Sequence, residues 1–260
     1  MLAVLSPAKS LDLDPAPEGL LASTPALLGE TVKLIATCRR QNTKRLMALM
    51  GISEKLAELN RERFQAWTES HTVLNAKQAA LLFAGDTYRG LDAGSLVEAD
   101  LLYAQEHVAI LSGLYGILRP LDLTQPYRLE MGTRLKTRRG TNLYGFWKDR
   151  ITNQLLTQLE SHREQTVVNC ASKEYFSALQ RKKLPGVLDV DFKELRGDGR
   201  LQTISFFAKR ARGAMARYLV QQRVESRDAL KGFDLHGYAF QDDLSTDDTF
   251  VFSRPHPNEH

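Results

Sequence analysis

Cysteine is scarce in this chain. Cys38 and Cys170 are the two among 260 residues, far apart and in no CxxC pairing, which excludes a disulfide framework and a cysteine zinc site and reads as two buried thiols. HExxH, GxSxG and GxxxxGK(S/T) are missing too, so the familiar metalloprotease, hydrolase and NTPase classes are excluded. The six histidines, His71, His107, His162, His236, His256 and His260, show no ligand spacing, so no metal and no cofactor is expected. Long apolar runs are absent. The opening Met1-Leu2-Ala3-Val4-Leu5-Ser6-Pro7 is too short and lacks the basic start of a signal peptide, and no later stretch approaches a membrane span. The expectation is a cytoplasmic protein with no membrane partner. Repeats, low-complexity tracts and long Pro/Gly/Ser linkers are lacking, which predicts one compact domain over 1–260. The acidic residues Asp242, Asp243, Asp247 and Asp248 lack the glycine and terminal glutamate of a calcium loop and read as a solvated turn.

What is present is an ordinary globular composition, 43% hydrophobic and 25% charged, able to bury a sizeable core. Residues 2–6 read as a buried strand, 12–25 as a Pro-punctuated wrapping loop, and helices dominate from about Pro25 to residue 80. Val-Ala-Ile-Leu-Ser at 108–112 reads as a second buried strand closed by a glycine turn at 113–116. Asn142 is placed to cap a long helix through Glu160, with Trp147 on its core face. Residues 166–169 form another strand, and Ser172 caps the helix carrying Tyr175 and Phe176. Leu188, Val190 and Phe192 alternate with polar residues before Gly197-Asp198-Gly199, which predicts a hairpin into 201–207. A basic helix over about 208–224 follows, then short strands near 237–241 and 250–252. Strands interspersed with helices give a mixed α/β (α+β) fold, a mixed sheet surrounded by helices.

The net charge of +4 is too mild to identify a partner, but the cations cluster. They gather at Arg39, Arg40, Lys44 and Arg45, at 134–139, at 181–183, and at Lys209, Arg210, Arg212 and Arg217. The segment Leu46-Met47-Ala48-Leu49-Met50-Gly51-Ile52-Ser53-Glu54-Lys55-Leu56-Ala57 resembles a helix-hairpin-helix, placed at about 43–60. That motif holds a phosphate on the free N–H groups of a helix start without reading a base. Gly51, Ile52, Lys55 and Ala57 stand where the motif expects them, while Ser53 replaces its second glycine. Arg210 and Arg217 share one face of the basic helix and Lys209 and Arg212 a neighbouring one, a stripe suited to neutralising phosphates or a solvated face. Tyr115, Arg119, Tyr127, Arg128 and Glu130 lie near turns rather than at core periodicity and look like a site lining. Arg128 and Glu130, two apart, face the same side of an extended segment, as an ion pair or as part of an active constellation.

Ser6-Pro7-Ala8-Lys9, Ser112-Gly113-Leu114-Tyr115-Gly116 through Arg128-Leu129-Glu130-Met131-Gly132, and Asn142-Leu143-Tyr144 with Phe146-Trp147 together resemble the bacterial peroxide stress protein YaaA family. Asn169, Ala171-Ser172, Glu174-Tyr175-Phe176 and Lys209 with Ala211-Arg212-Gly213, Met215 and Arg217 extend the resemblance to about Phe252. It implies a cytosolic protein that limits hydrogen peroxide damage from free intracellular iron, with a positively charged cleft that binds duplex and branched DNA. Two readings follow. In one, Lys44, Arg45, Gly51, Ile52, Ser53 and Lys55 grip one stretch of DNA backbone and Lys209, Arg210, Arg212 and Arg217 another, largely without regard to sequence. In the other, an enzyme acts on a nucleotide, nucleic acid or other small anionic ligand in a pocket formed by Lys9, Arg128, Glu130, Asn169, Ser172, Tyr175 and Lys209. There Lys9 and Arg128 are anion clamps, Glu130 is a general base, and Asn169 and Tyr175 orient.

Overall fold

The segments Leu2–Leu5, Val108–Ser112 and Val167–Cys170 are apolar nearly throughout because both faces of each are covered. They form the parallel centre of an eight-stranded sheet in a computed structural model that describes residues 1–257; His260 lies outside the described residues. From edge to edge the strands are Ala239–Phe240, Thr249–Pro255, Val187–Leu195, Val167–Cys170, Leu2–Leu5, Val108–Ser112 and Gly116–Leu118, with Leu201–Gln202 paired to Val187–Leu195. The five inner strands run parallel; Ala239–Phe240, Gly116–Leu118 and Leu201–Gln202 run antiparallel to their neighbours. Register places Leu5 beside Ile110 on one side and Cys170 on the other. The expected mixed sheet surrounded by helices is what forms.

In the chain between Leu2–Leu5 and Val108–Ser112 lie the helices Leu28–Cys38, Thr43–Met50 and Glu54–Ala66. The helix Thr43–Met50 is opened by Asn42, whose Oδ1 accepts from the Arg45 N–H at 2.8 Å, and closed by Gly51 at φ +61°, a left-handed turn that favours glycine. Ser53 opens Glu54–Ala66, its Oγ accepting from the Leu56 N–H at 3.4 Å. Leu46, Ala57 and Phe64 are the buried apolar residues that hold this pair of helices to the core.

Two expectations about the later elements are revised. Residues 142–160 form two helices, Leu143–Trp147 and Asp149–Leu159, broken at Lys148 with φ +43°. Trp147 is fully buried and its Nε1 donates to the Gly113 carbonyl at 3.0 Å. The chain then re-aims so that Ile151, Leu155 and Leu159 can bury in turn. The hairpin also ends early, because only Leu201–Gln202 pairs and the basic helix starts at Ser205, running to Gln221. The Ile204 N–H donates to the buried Glu194 at 3.3 Å, turning the chain out of the sheet before Phe206.

The basic helix Ser205–Gln221 crosses the short helix Asp86–Leu91 at glycine contacts. A Cβ on Gly213 would lie 1.7 Å from the Thr87 carbonyl oxygen, and one on Gly90 would lie 1.9 Å from that of Arg210. Only hydrogen fits at either position. This crossing sets the basic helix against the carboxyl end of the sheet.

Candidate functional site

In open sheets with parallel strands, ligands collect beyond the carboxyl ends of the strands, where the chain leaves one strand and its neighbours are reached in opposite directions. Leu2–Leu5 is that strand here: the next parallel strand, Val108–Ser112, lies on one side, and Val167–Cys170, Val187–Leu195 and Thr249–Pro255 build outward from the other. Ser6 leaves the first strand and Ser172 leaves the Val167–Cys170 strand. The Ser172 N–H donates to Ser6 Oγ at 2.9 Å, and Ser6 Oγ donates to Ser172 Oγ at 3.3 Å. A cavity of about 420 Å³ opens at this junction, in the size range of small-molecule sites.

Its wall contains Lys9, Arg128, Glu130, Ser172, Tyr175, Lys209 and Arg212. Residues two hundred positions apart in the chain thus meet. Glu130 Oε1 accepts from Arg128 Nε at 3.0 Å and Nη2 at 2.9 Å, and Lys9 Nζ stands 3.8 Å away. The Arg128–Glu130 ion pair expected from the two-residue spacing is therefore made. It leaves Glu130 Oε2 buried without a hydrogen-bond partner. Arg212 Nε is buried and unpartnered in the same way, and neither Lys209 nor Arg212 forms an ion pair among the described residues. Burial pushes the Tyr175 and Tyr127 phenols well above their ordinary range, so both are neutral hydrogen-bonding groups. Burial also raises the Cys170 thiol to about 12, against the opposing pull of Arg212, which leaves an inert thiol in the wall.

The other expected residues are placed differently. Asn169 is absent from the cavity wall: its Nδ2 donates to Asp189 Oδ1 at 2.7 Å and its Oδ1 accepts from the Ala171 N–H at 3.0 Å, shaping the turn that delivers Ser172. Ser172 occupies the cap position of the helix Lys173–Phe176 but makes no side-chain cap bond. Tyr115 is fully buried, its hydroxyl accepting from Trp67 Nε1 at 2.9 Å and the Gln125 N–H at 3.1 Å. Arg119 is tied to Asp122 at 3.4 Å. Arg217 donates to the carbonyls of Leu91 at 3.1 Å and Asp92 at 2.8 Å, closing the end of the Asp86–Leu91 helix, while Arg210 is exposed on the basic helix. Lys44, Arg45, Ser53 and Lys55 are exposed around the turn at Gly51 and Ile52, apart from the cavity wall. Gly85, Asp86 and Thr87 also line the cavity and were not anticipated. Their signal is a glycine followed by Asp-Thr, the mark of a helix start.

The comparison with known proteins shows which family the chain falls in. The family model for peroxide stress protein YaaA matches residues 1–244. The chain belongs to this family. A UPF0246 protein of Roseobacter denitrificans is 50% identical over 259 residues, covering 99% of each chain. UPF0246 proteins of Burkholderia mallei and Burkholderia pseudomallei are each 50% identical over 256 residues, covering 98% of each chain. The resemblance read from separate motifs is thus a full-length one, and the YaaA match includes every segment that lines the cavity. No helix among the described residues is long and apolar enough to cross a membrane.

Proposed function

We propose that this YaaA-family protein acts in peroxide stress by holding DNA through its phosphates, with the cavity at the carboxyl edge of the sheet taking one phosphate-bearing unit of a duplex or branched molecule. The observation that carries the reading is the presence of Lys209 and Arg212, without carboxylate partners, on the wall of one cavity. A buried unpartnered guanidinium nitrogen costs free energy until an anion satisfies it. Exposed Lys44, Arg45 and Lys55 around the turn at Gly51, Ile52 and Ser53, with exposed Arg210, support further backbone contacts. Contacts of this kind are indifferent to sequence. Shielding DNA from radicals made by free intracellular iron is the route to protection consistent with this grip; tight stoichiometric binding of iron by the purified protein counts against it.

The test is fluorescence anisotropy with duplex, single-stranded and four-way-junction DNA across a salt series. Submicromolar binding with a steep salt slope is expected, and replacing Lys209 and Arg212 by alanine flattens the slope by about 2, at roughly 0.9 for each phosphate no longer neutralised. Failure to bind any of the three near physiological salt overturns the reading.

One observation favours a second reading, an enzyme acting on a nucleotide or other small anionic ligand. Glu130 Oε2 is a buried acceptor with no partner, in the same wall as the unpartnered Arg212 Nε. Together they suit a ligand that carries both an anionic oxygen and an O–H or N–H donor. A free carboxylate oxygen beside such a donor is the arrangement of a general base. In this reading Arg128 positions Glu130, and the anion contacts fall to Lys9, Lys209 and Arg212.

A further inference from the structure

A second concave basic region lies apart from the cavity at the sheet edge. From Met131 to Arg138 burial alternates with period two: Met131, Thr133 and Leu135 are buried, while Gly132, Arg134, Lys136 and Arg138 are exposed. Period two is the signature of an extended chain, so Arg134 and Lys136 project from one side, and Arg138 follows them at the turn that ends the segment. Arg134 and Lys136 then stand about 6.6–6.8 Å apart, close to the separation of neighbouring phosphates on one strand, which exceeds the axial rise of roughly 3.4 Å per nucleotide because the backbone winds around the helix axis. The buried residues anchor this row. Its end is fixed as well, because Thr137 N–H donates to the Gly140 carbonyl at 2.8 Å, holding Arg138 and Arg139 at the tip of a tight turn.

The row runs into a depression of about 430 Å³ whose wall includes Lys33, Thr37 and Arg40 from the first helix and its end, Arg138 and Arg139 from the turn, and Phe146. Glu30 neutralises part of this charge, binding Lys33 at 2.7 Å, Arg150 at 3.4 Å and Arg139. That carboxylate is saturated. Arg40 makes its side-chain bond to Thr37 Oγ1 at 3.1 Å, and Arg40, Arg134, Lys136 and Arg138 form no ion pair among the described residues. Like charges held together without counter-ions repel and destabilise the folded chain.

We infer that Arg134, Lys136 and Arg138, continuing into the depression at Arg40, form a second phosphate-binding track for a nucleic-acid backbone. The inference rests on the reading that the partner is nucleic acid, and it adds a binding surface independent of the cavity. The regular row fits a polymer of evenly spaced phosphates better than a single anion. It contains no exposed apolar side chain of the kind that anchors a protein in a lipid interface.

The experiment compares the wild-type chain with the triple variant Arg134→Gln, Lys136→Gln and Arg138→Gln by anisotropy on duplex DNA across a salt series, together with thermal melting. Removing three cations should flatten the salt slope by about 3 and weaken binding on the order of 100-fold at physiological salt. The melting temperature at low salt should hold or rise, since repulsion is relieved. The variant Arg134→Lys with Arg138→Lys keeps the charge and should retain the slope. If the triple variant is too unstable to measure, each single glutamine should lower the slope by about 1. Unchanged affinity and slope overturn the track while leaving the cavity reading in place, which the Lys209 and Arg212 variants address separately. Wild-type protein that binds no DNA overturns both. Loss of binding to phosphatidylserine/phosphatidylcholine vesicles with DNA binding intact assigns the row to a membrane surface and overturns the inference.

Discussion

Glu130 has two carboxylate oxygens in different circumstances. Oε1 accepts two bonds from Arg128, and Oε2 is buried with none. Glu130→Gln keeps the shape and removes the charge, so Arg128 loses the ionic part of its pairing. A charge-assisted hydrogen bond is worth about 1.5–3 kcal/mol, and a chain of this size melts roughly 2–4 °C lower for each kcal/mol lost. The expected outcome is a melting temperature lower by a few degrees with DNA affinity and salt slope unchanged. If Glu130 is a general base, cells carrying the variant lose peroxide protection; full protection in a survival assay removes the enzymatic reading. The two-residue spacing of Arg128 and Glu130 was legible in the chain, and so was their pairing. The use of Arg128 as a positioning group was not. It depends on Gly113, where a Cβ would lie 2.1 Å from the Leu129 carbonyl oxygen, so that a glycine in one turn sets the position of a carboxylate in another.

At the scale of elements, the crossing of Ser205–Gln221 over Asp86–Leu91 decides what the basic helix can do. Gly213→Ala places a methyl 1.7 Å from a backbone oxygen that cannot move aside. The helices must separate, at a cost near the upper end of overpacking penalties, about 3 kcal/mol. Melting should fall by roughly 6–12 °C, and Lys209 and Arg212 should lose their alignment with the cavity, weakening DNA binding. Gly29→Ala, where a Cβ meets open space near a helix start, should be neutral or slightly stabilising. A melting temperature for Gly213→Ala equal to that of Gly29→Ala contradicts the close-crossing account. The helix itself and its cations were readable from spacing. That Arg217 is spent on carbonyls was not, because its partners Leu91 and Asp92 lie 126 and 125 positions away. The break at Lys148 was hidden for a similar reason: the apolar spacing on either side is helical, and the kink answers to Trp147 packing against Gly113 and Gly116.

Across the whole molecule, pH dependence is expected from a stack that ties the first strand to two distant segments. Tyr103 stacks on His107 at 3.8 Å and His107 on His162 at 4.3 Å, with the Met1 amine 3.1 Å from His162 Nδ1. Burial, with the Met1 ammonium and His107 adding to it, pushes the His162 imidazole down to about 4 from an ordinary 6.5. Between those values the unfolded chain binds a proton that the folded chain refuses, so stability rises with pH through that window. Melting temperature should therefore fall as pH drops from about 6.5 to about 4. His162→Gln should flatten that dependence. An unchanged profile in the variant contradicts the assignment.

Local chemistry alone determined the mixed α/β class, the buried strands at 2–6 and 108–112, the turn at Gly51 and the clusters of cations, because hydrophobic period, capping residues and turn residues act over a few positions. The YaaA resemblance was legible for the same reason, as each motif is a short segment with its own geometry. Tertiary structure decided which charges are available. Arg39 donates to the Phe64 and Trp67 carbonyls, Arg217 closes a helix and Arg128 holds Glu130, whereas Lys209, Arg212, Arg134, Lys136 and Arg138 have no carboxylate partner among the described residues. Apart from a local pair such as Arg128 and Glu130, a cation's partners are set by through-space distances of a few ångströms between segments distant in the chain, 25 positions for Arg39 and Phe64 and 126 for Arg217 and Leu91, and spacing along the chain carries no record of them.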